Sequence, residues 1–186
     1  IDCRVQSGPN WNNGVKRLQE FMIQLYCNNP FFFDLVEDKE EIALWRSAWE
    51  FPIEIPVEGM EFGYREMDLI TNIYNKGDIA CGMRIEFSAS AFVDKPSLIN
   101  VYTREYIKVN RSLDVGDKLV ITTGFGNNTV TIYRANGTIE NALHYITLDS
   151  EFLLLEVGDN VIQYDAESGK DNLDVSIYHK PMYLGV

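Results

Sequence analysis

Three segments of this chain alternate apolar and polar residues with a period of two. Met83, Ile85, Phe87, Ala89 and Ala91 alternate with Arg84, Glu86, Ser88 and Ser90. Val130 and Ile132 alternate with Thr129, Thr131 and Tyr133, and Leu173, Val175 and Ile177 with Asp174, Ser176 and Tyr178. Successive side chains of a strand point to opposite faces, so each segment predicts a strand with one face in a core and one in water, the habit of antiparallel sheets. Residues 69–74, 99–102, 106–109, 119–123, 152–155 and 161–164 read as further short strands, and no helical period occurs after residue 60. Many short strands at regular spacing predict a mainly β fold, an antiparallel β-sandwich or jelly roll.

The first third reads differently. Residues 7–14 form a turn-rich stretch around Gly8-Pro9-Asn10. Phe21, Ile23, Leu25 and Cys27 share one parity and predict a half-buried strand, stopped by Asn28-Asn29-Pro30. Residues 38–49 predict one short helix near the N-terminus. Asp38 can cap it with Glu41 three residues on, and Ile42, Trp45 and Trp49 make one apolar stripe. The acids Glu37, Asp38, Glu40 and Glu41 then suit the helix N-terminus. Pro52 and Pro56 make residues 50–56 an extended linker, which places a domain boundary between 1–50 and 51–186.

Turn signals punctuate the sandwich region. Gly126-Asn127-Asn128 and Ala135-Asn136-Gly137-Thr138 suit hairpins, and Asp165 through Asp171 an exposed one. Leu113-Asp114-Val115-Gly116-Asp117 is echoed by Leu155-Glu156-Val157-Gly158-Asp159, and more loosely by Asn75-Lys76-Gly77-Asp78. Gly-Asp suits a tight turn into a strand, so these read as similar turns rather than as a repeat architecture.

Chemistry-bearing residues are sparse. Only His144 and His179 could serve nucleophilic catalysis, and neither lies in a recognisable motif. Gly124-Phe125-Gly126 lacks the third glycine and the following helix of a nucleotide fingerprint. The acidic clusters lack calcium-loop spacing, and sequence cannot pair two carboxylates across a cleft as a glycosidase requires. Cys3, Cys27 and Cys81 contain no paired-ligand zinc spacing; three reduced thiols are expected, with one disulfide and a leftover thiol as the alternative. Asn-x-Ser/Thr triplets at Asn110, Asn127 and Asn136 matter only in a chain secreted by a eukaryote. The net charge of −12 is a poor match for nucleic acid phosphates or an anionic leaflet, and no apolar run is long enough to span a membrane. An apolar fraction of 46% over 186 residues supports a packed core in one domain, or one domain and part of another. Ile1-Asp2-Cys3-Arg4 is no signal peptide and lacks an initiator Met, so the chain is expected to begin partway through a longer product.

The order of these features resembles the distal tail protein family of siphophages. The stretch Arg17 through Phe33 is similar to the end of that family's N-terminal, ring-forming region. Asn72-Ile73-Tyr74-Asn75-Lys76-Gly77-Asp78 followed by Ala80 through Phe87 resembles its next passage. Ile99 through Val109, then Gly116 through Ile121, continue it; Leu148 through Phe152, Leu155 through Tyr164, and Val175-Ser176-Ile177-Tyr178 with Tyr183-Leu184 close it.

The resemblance implies a galectin-like C-terminal sandwich over 51–186, preceded by a remnant of the N-terminal domain over 1–50, most of which is expected to be absent here. It implies a structural virion protein without enzymatic activity or cofactor, made in the bacterial host cytoplasm from a phage or prophage gene. Its place would be the virion tail tip, in a hexameric ring joining the tail tube to the baseplate or receptor-binding apparatus. Other tail and baseplate proteins are the implied partners. Phe31, Phe32, Phe33, Trp45 and Trp49 are then the expected interface anchors, since aromatics concentrate at interfaces. The alternative is a carbohydrate-binding module for a cell-surface saccharide, with Tyr133 and Tyr178, which have outward parity, beside polar residues on one sheet.

Overall fold

The computed structural model describes residues 3–11, 21–27, 29–47, 63–67 and 70–185. The strands run, in chain order, β1 (Cys3–Trp11), β2 (Phe21–Cys27), β3 (Phe32–Phe33), β4 (Asp38–Glu41), β5 (Ala43–Ser47), β6 (Gly63–Met67), β7 (Ile70–Asn75) and β8 (Met83–Ala89). They continue with β9 (Ser97–Asn100), β10 (Tyr106–Lys108), β11 (Lys118–Thr122), β12 (Thr129–Tyr133), β13 (Ile139–Asn141), β14 (Gly158–Asp165), β15 (Leu173–His179) and β16 (Met182–Tyr183). Among the described residues the helical segments are two single 3-10 turns, Leu143–Tyr145 and Lys170–Asn172.

Two antiparallel sheets form the body. One has six strands in the order β13-β12-β11-β8-β15-β4, the other four in the order β10-β9-β14-β7. This is the β-sandwich that the alternation predicts. Ile85, Phe87, Leu119, Ile121, Ile132, Val175 and Ile177 of the larger sheet and Ile73, Leu98, Ile107, Ile162 and Tyr164 of the smaller one join a single buried cluster. Each such aliphatic or aromatic side chain contributes about 1.5–3 kcal/mol on burial. The hairpins expected at 126–128 and 135–138 connect β11 to β12 and β12 to β13. Gly126 and Gly137 supply the left-handed backbone that these turns need.

The helix expected over 38–49 is not formed in its described part, residues 38–47. Residues 38–41 instead pair as β4 with His179 back to Ser176 of β15, and the Ile42 N–H donates to the Val175 carbonyl at 2.9 Å. Ile42 is buried, and β5 pairs with β6. A helix would satisfy this segment's own backbone but leave the β15 edge without a partner; the long-range ladder overrides the local signal. The acids therefore sit beside cations rather than a helix dipole. Glu37 pairs with Arg84 at 2.8 Å, and Lys76 bridges Asp34 and Asp38 at 3.1 and 3.2 Å. The strand expected at 152–155 reduces to an isolated bridge between Leu155 and Cys81. Residues 7–11, read as a turn, belong to β1. The linker over 50–56 lies outside the described residues.

The three Gly-Asp-like turns use different side chains for the same task. At the first, Asp117 accepts the Asp114 and Ala135 N–H groups, each at 2.9 Å. At the second, Asp159 points outward and Asn160 takes over, accepting the Glu156 N–H at 2.9 Å and donating to its carbonyl at 2.7 Å. At the third, buried Asn75 donates to the carbonyls of Ile79 and Leu155 at 3.0 Å and accepts the Gly77 N–H at 2.9 Å. A Cβ on Gly77 would lie 2.5 Å from the Met182 carbonyl oxygen, so that position requires Gly because β16 passes against it. Asn75→Ala orphans the Gly77 N–H and takes a donor from the Ile79 and Leu155 carbonyls, of which Leu155 keeps the Cys81 N–H at 3.0 Å. It is expected to cost about 2–4 kcal/mol, read from the urea midpoint at unchanged m.

Candidate functional site

Among the described residues, the β1–β2 hairpin carries a consecutive run of exposed large apolar side chains. Its register pairs Cys3 with Cys27, Val5 with Leu25, Ser7 with Gln24 and Asn10 with Met22. The ladder shifts twice between Val5 and Asn10, a stretch that includes Pro9, which has no N–H to give to it. Cys27 is disulfide-bonded, its register partner is Cys3, and Cys81 is free and buried. This corrects the expectation of three reduced thiols. Burial pushes the Cys81 thiol up to about 11, which keeps it protonated and unreactive at neutral pH.

The strand expected to be half-buried is not. Phe21, Ile23 and Leu25 on one face are 44–59% exposed, and Met22 and Tyr26 on the other are 75% and 57% exposed. Alternation is a reliable sign of one buried face only when something covers that face. Here large apolar side chains of β2 stand open on both faces of a two-stranded ribbon, in a continuous set on one and on either side of Gln24 on the other, as exposed apolar patches at interaction surfaces do.

Of the five aromatic residues expected at interfaces, the described ones fall in different elements. Phe32 and Phe33 form β3, paired with Tyr183 and Met182 of β16. Phe32 is half exposed, while Phe31 and Phe33 are partly buried. Trp45 falls in β5 opposite Arg65 of β6, and Trp49 lies outside the described residues.

Tyr133 and Tyr178 share the outer face of the six-stranded sheet, but at opposite corners. Register places Tyr133 in a row with Lys118, Ser88 and Asp174, and Tyr178 in a row with Arg84, Thr122 and Thr129. Three strand spacings and four residues along the strands put them roughly 20 Å apart. The Arg84 guanidinium lies 4.0 Å from the Tyr178 ring centroid, so one stacking face is already occupied. The two do not form a sugar-stacking row.

A polar groove of ≈ 460 Å³ opens between the loop at 111–117 and the turn at 134–138. Arg134 spans it, donating to Asp117 at 2.6 Å, Glu140 at 2.9 Å and the Ser112 carbonyl at 3.2 Å. The sequence echo pointed to Asp117 as a turn residue, but nothing local reveals its partner seventeen positions on. Burial opposes ionisation of Asp117, yet the Asp114 N–H, Arg134 and the Ala135 N–H outweigh it and hold the carboxyl below its ordinary value. Arg134 likewise lowers Glu140. A carboxylate with a depressed folded-state pKa stabilises above its unfolded pKa, and that stabilisation is lost as pH falls through the folded value. Stability is therefore expected to hold from neutral pH down to about pH 4 and to fall below it. Asp117→Asn should flatten that acid limb, as followed by thermal melts across pH.

The histidines are not poised for catalysis. His144 stacks on Tyr145, and His179 is buried at the end of β15 with no hydrogen-bond partner on either ring nitrogen. Among the described residues no cluster of His, Cys, Asp and Glu can hold a metal ion.

Residues 76–183, from the Asn75 turn through β16, match the family described as siphovirus-type tail component, C-terminal domain. The chain belongs to this tail-component family. The crystal structure of the phage SPP1 Dit protein (gp 19.1), described as a paradigm of the hub adsorption apparatus in phages infecting Gram-positive bacteria, has the same fold. The TM-score is 0.63 at 11% identity, over 98% of this chain. This tail component spans 59% of the length of that protein. No curated protein matches it. The family match covers the sandwich strands β8 to β15 and β16; the edge strands β4 and β7 and the β1–β2 hairpin lie ahead of it.

Proposed function

We propose that this tail component is a structural, non-catalytic part of the siphophage tail tip, joining the tail tube to the baseplate or receptor-binding apparatus. In this reading the β1–β2 hairpin packs copies of the chain into a six-membered ring, and the sandwich stands outside it as a galectin-like arm. The observation that carries the reading is the hairpin with apolar side chains exposed on both faces. An open two-faced ribbon is costly in water and gains a partner on each face in a closed ring, where each copy uses two different surfaces. Phe32 is half exposed and Leu35, three residues on, is fully exposed, which makes Phe32 the most open of the three phenylalanine anchors. The hub role named for the SPP1 protein supports the placement by likeness of fold.

Immunogold labelling with an antibody against the sandwich tests the placement on virions carrying this gene. Gold at the end of the tail away from the capsid is expected. Gold along the tube or on the capsid would contradict it.

A further inference from the structure

A sandwich has four sheet edges, and here three are defended. β4 reads Asp38-Lys39-Glu40-Glu41, entirely charged. β13 has only three residues and carries Glu140. The free side of β10 is taken: Tyr106 accepts the Glu151 N–H at 2.9 Å, and Lys108 accepts the Thr147 N–H at 3.1 Å. The fourth edge is β7, Ile70-Thr71-Asn72-Ile73-Tyr74-Asn75, which has no charge and no proline. Among the described residues nothing pairs with its outer side. Natural sheets avoid such edges because they template pairing with another chain.

The backbone direction of β7 follows from its neighbours. The Val101 N–H donates to the Val161 carbonyl at 2.8 Å, so residue 161 of β14 faces β9. By alternation Asn160 and Ile162 face β7, where they meet Ile73 and Thr71. Ile70, Asn72 and Tyr74 therefore turn their N–H and C=O groups to the open edge. Their side chains lie on the outer face of the sheet, with Ile70 52% and Tyr74 63% exposed. Behind them on that face lie Ile99 and Val161.

We infer that β7 is a pairing edge for a second copy of this chain, joined antiparallel about Asn72 so that Ile70 of each copy faces Tyr74 of the other. The strand is self-complementary in this register. Asn72 meets Asn72, the two Ile–Tyr pairs are the aromatic–β-branched kind that stabilises sheets, and no like charges meet. The four-stranded sheet becomes a continuous eight-stranded one, and its apolar outer face doubles. Such a contact has a two-fold axis, so it pairs two copies, or two rings, and doubles whatever stoichiometry the rest of the chain supports. It stands on β7 alone and is independent of the hairpin.

The test compares the wild-type chain with Asn72→Pro and Asn72→Ala by sedimentation over a concentration series into the high-micromolar range. Both variants lose the side-chain bond from Asn72 to Asp159, but only proline removes the outward N–H. Wild type and Asn72→Ala are expected to double in mass with concentration. Asn72→Pro is expected to stay at half that mass, its association weakened at least ~10-fold. Equal behaviour of the two variants would overturn the inference. Amide hydrogen exchange on the wild-type chain gives a second reading that needs no variant. Protection at Ile70, Asn72 and Tyr74 that rises with concentration supports the pairing. Protection independent of concentration, or fast exchange throughout, would overturn it.

Discussion

Asp117→Ala is expected to lower stability by about 3–5 kcal/mol, the cost of removing one partner of a buried ion pair. For a chain of this size that is roughly a 10 °C fall in the melting temperature. The carboxylate is almost fully buried and takes three donors: the Asp114 and Ala135 N–H groups and the Arg134 guanidinium. Its loss orphans two backbone donors and leaves a mostly buried guanidinium with Glu140 and the Ser112 carbonyl alone. It also unties the loop at 111–117 from the β12–β13 turn. Asp117→Asn keeps the size and part of the hydrogen bonding and is expected to cost less. A urea midpoint for Asp117→Ala within ~1 kcal/mol of wild type would show that the clamp does not hold the loop.

The hairpin should respond in the opposite way, with a large effect on assembly and none on folding. Ile23→Lys with Leu25→Lys changes one face of β2, and Met22→Lys with Tyr26→Lys the other. All four side chains are exposed in the single chain, so the melting temperature is expected to stay within a few degrees of wild type. If the ring buries them, each lost side chain is worth about 1.5–3 kcal/mol, and a pair weakens association at least ~100-fold. Sedimentation of both variants beside the wild type reads this directly. A ring that survives both would place the assembly contact elsewhere.

The two hairpin faces show where sequence patterning reaches its limit. The parity of Phe21, Ile23 and Leu25 correctly gives a strand, but parity does not tell a core from an interface. Met22 and Tyr26, flanking Gln24 on the opposite parity, are the available sign that this strand differs from β8, whose outward residues Arg84, Glu86 and Ser88 are all polar. The sandwich itself was legible because β8, β12 and β15 alternate over their full length. The segment at 38–47 was not, because its helical signals are local while the pairing that wins is not: β4 pairs with β15, more than a hundred residues away, and β5 with β6. The Asn75 and Gly116-Asp117 turns could be located from composition. The partners that make them rigid, Leu155 and Arg134, are set by topology. The open edge of β7 was also hidden, since an uncharged strand reads alike at an edge and in the middle of a sheet.

Native mass spectrometry of the chain with its disulfide intact, backed by negative-stain images, tests the central claim that this tail component is a ring-building part. The account predicts a six-membered ring with an open centre, or two such rings joined where the β7 edges pair. A monomer at every concentration would contradict it.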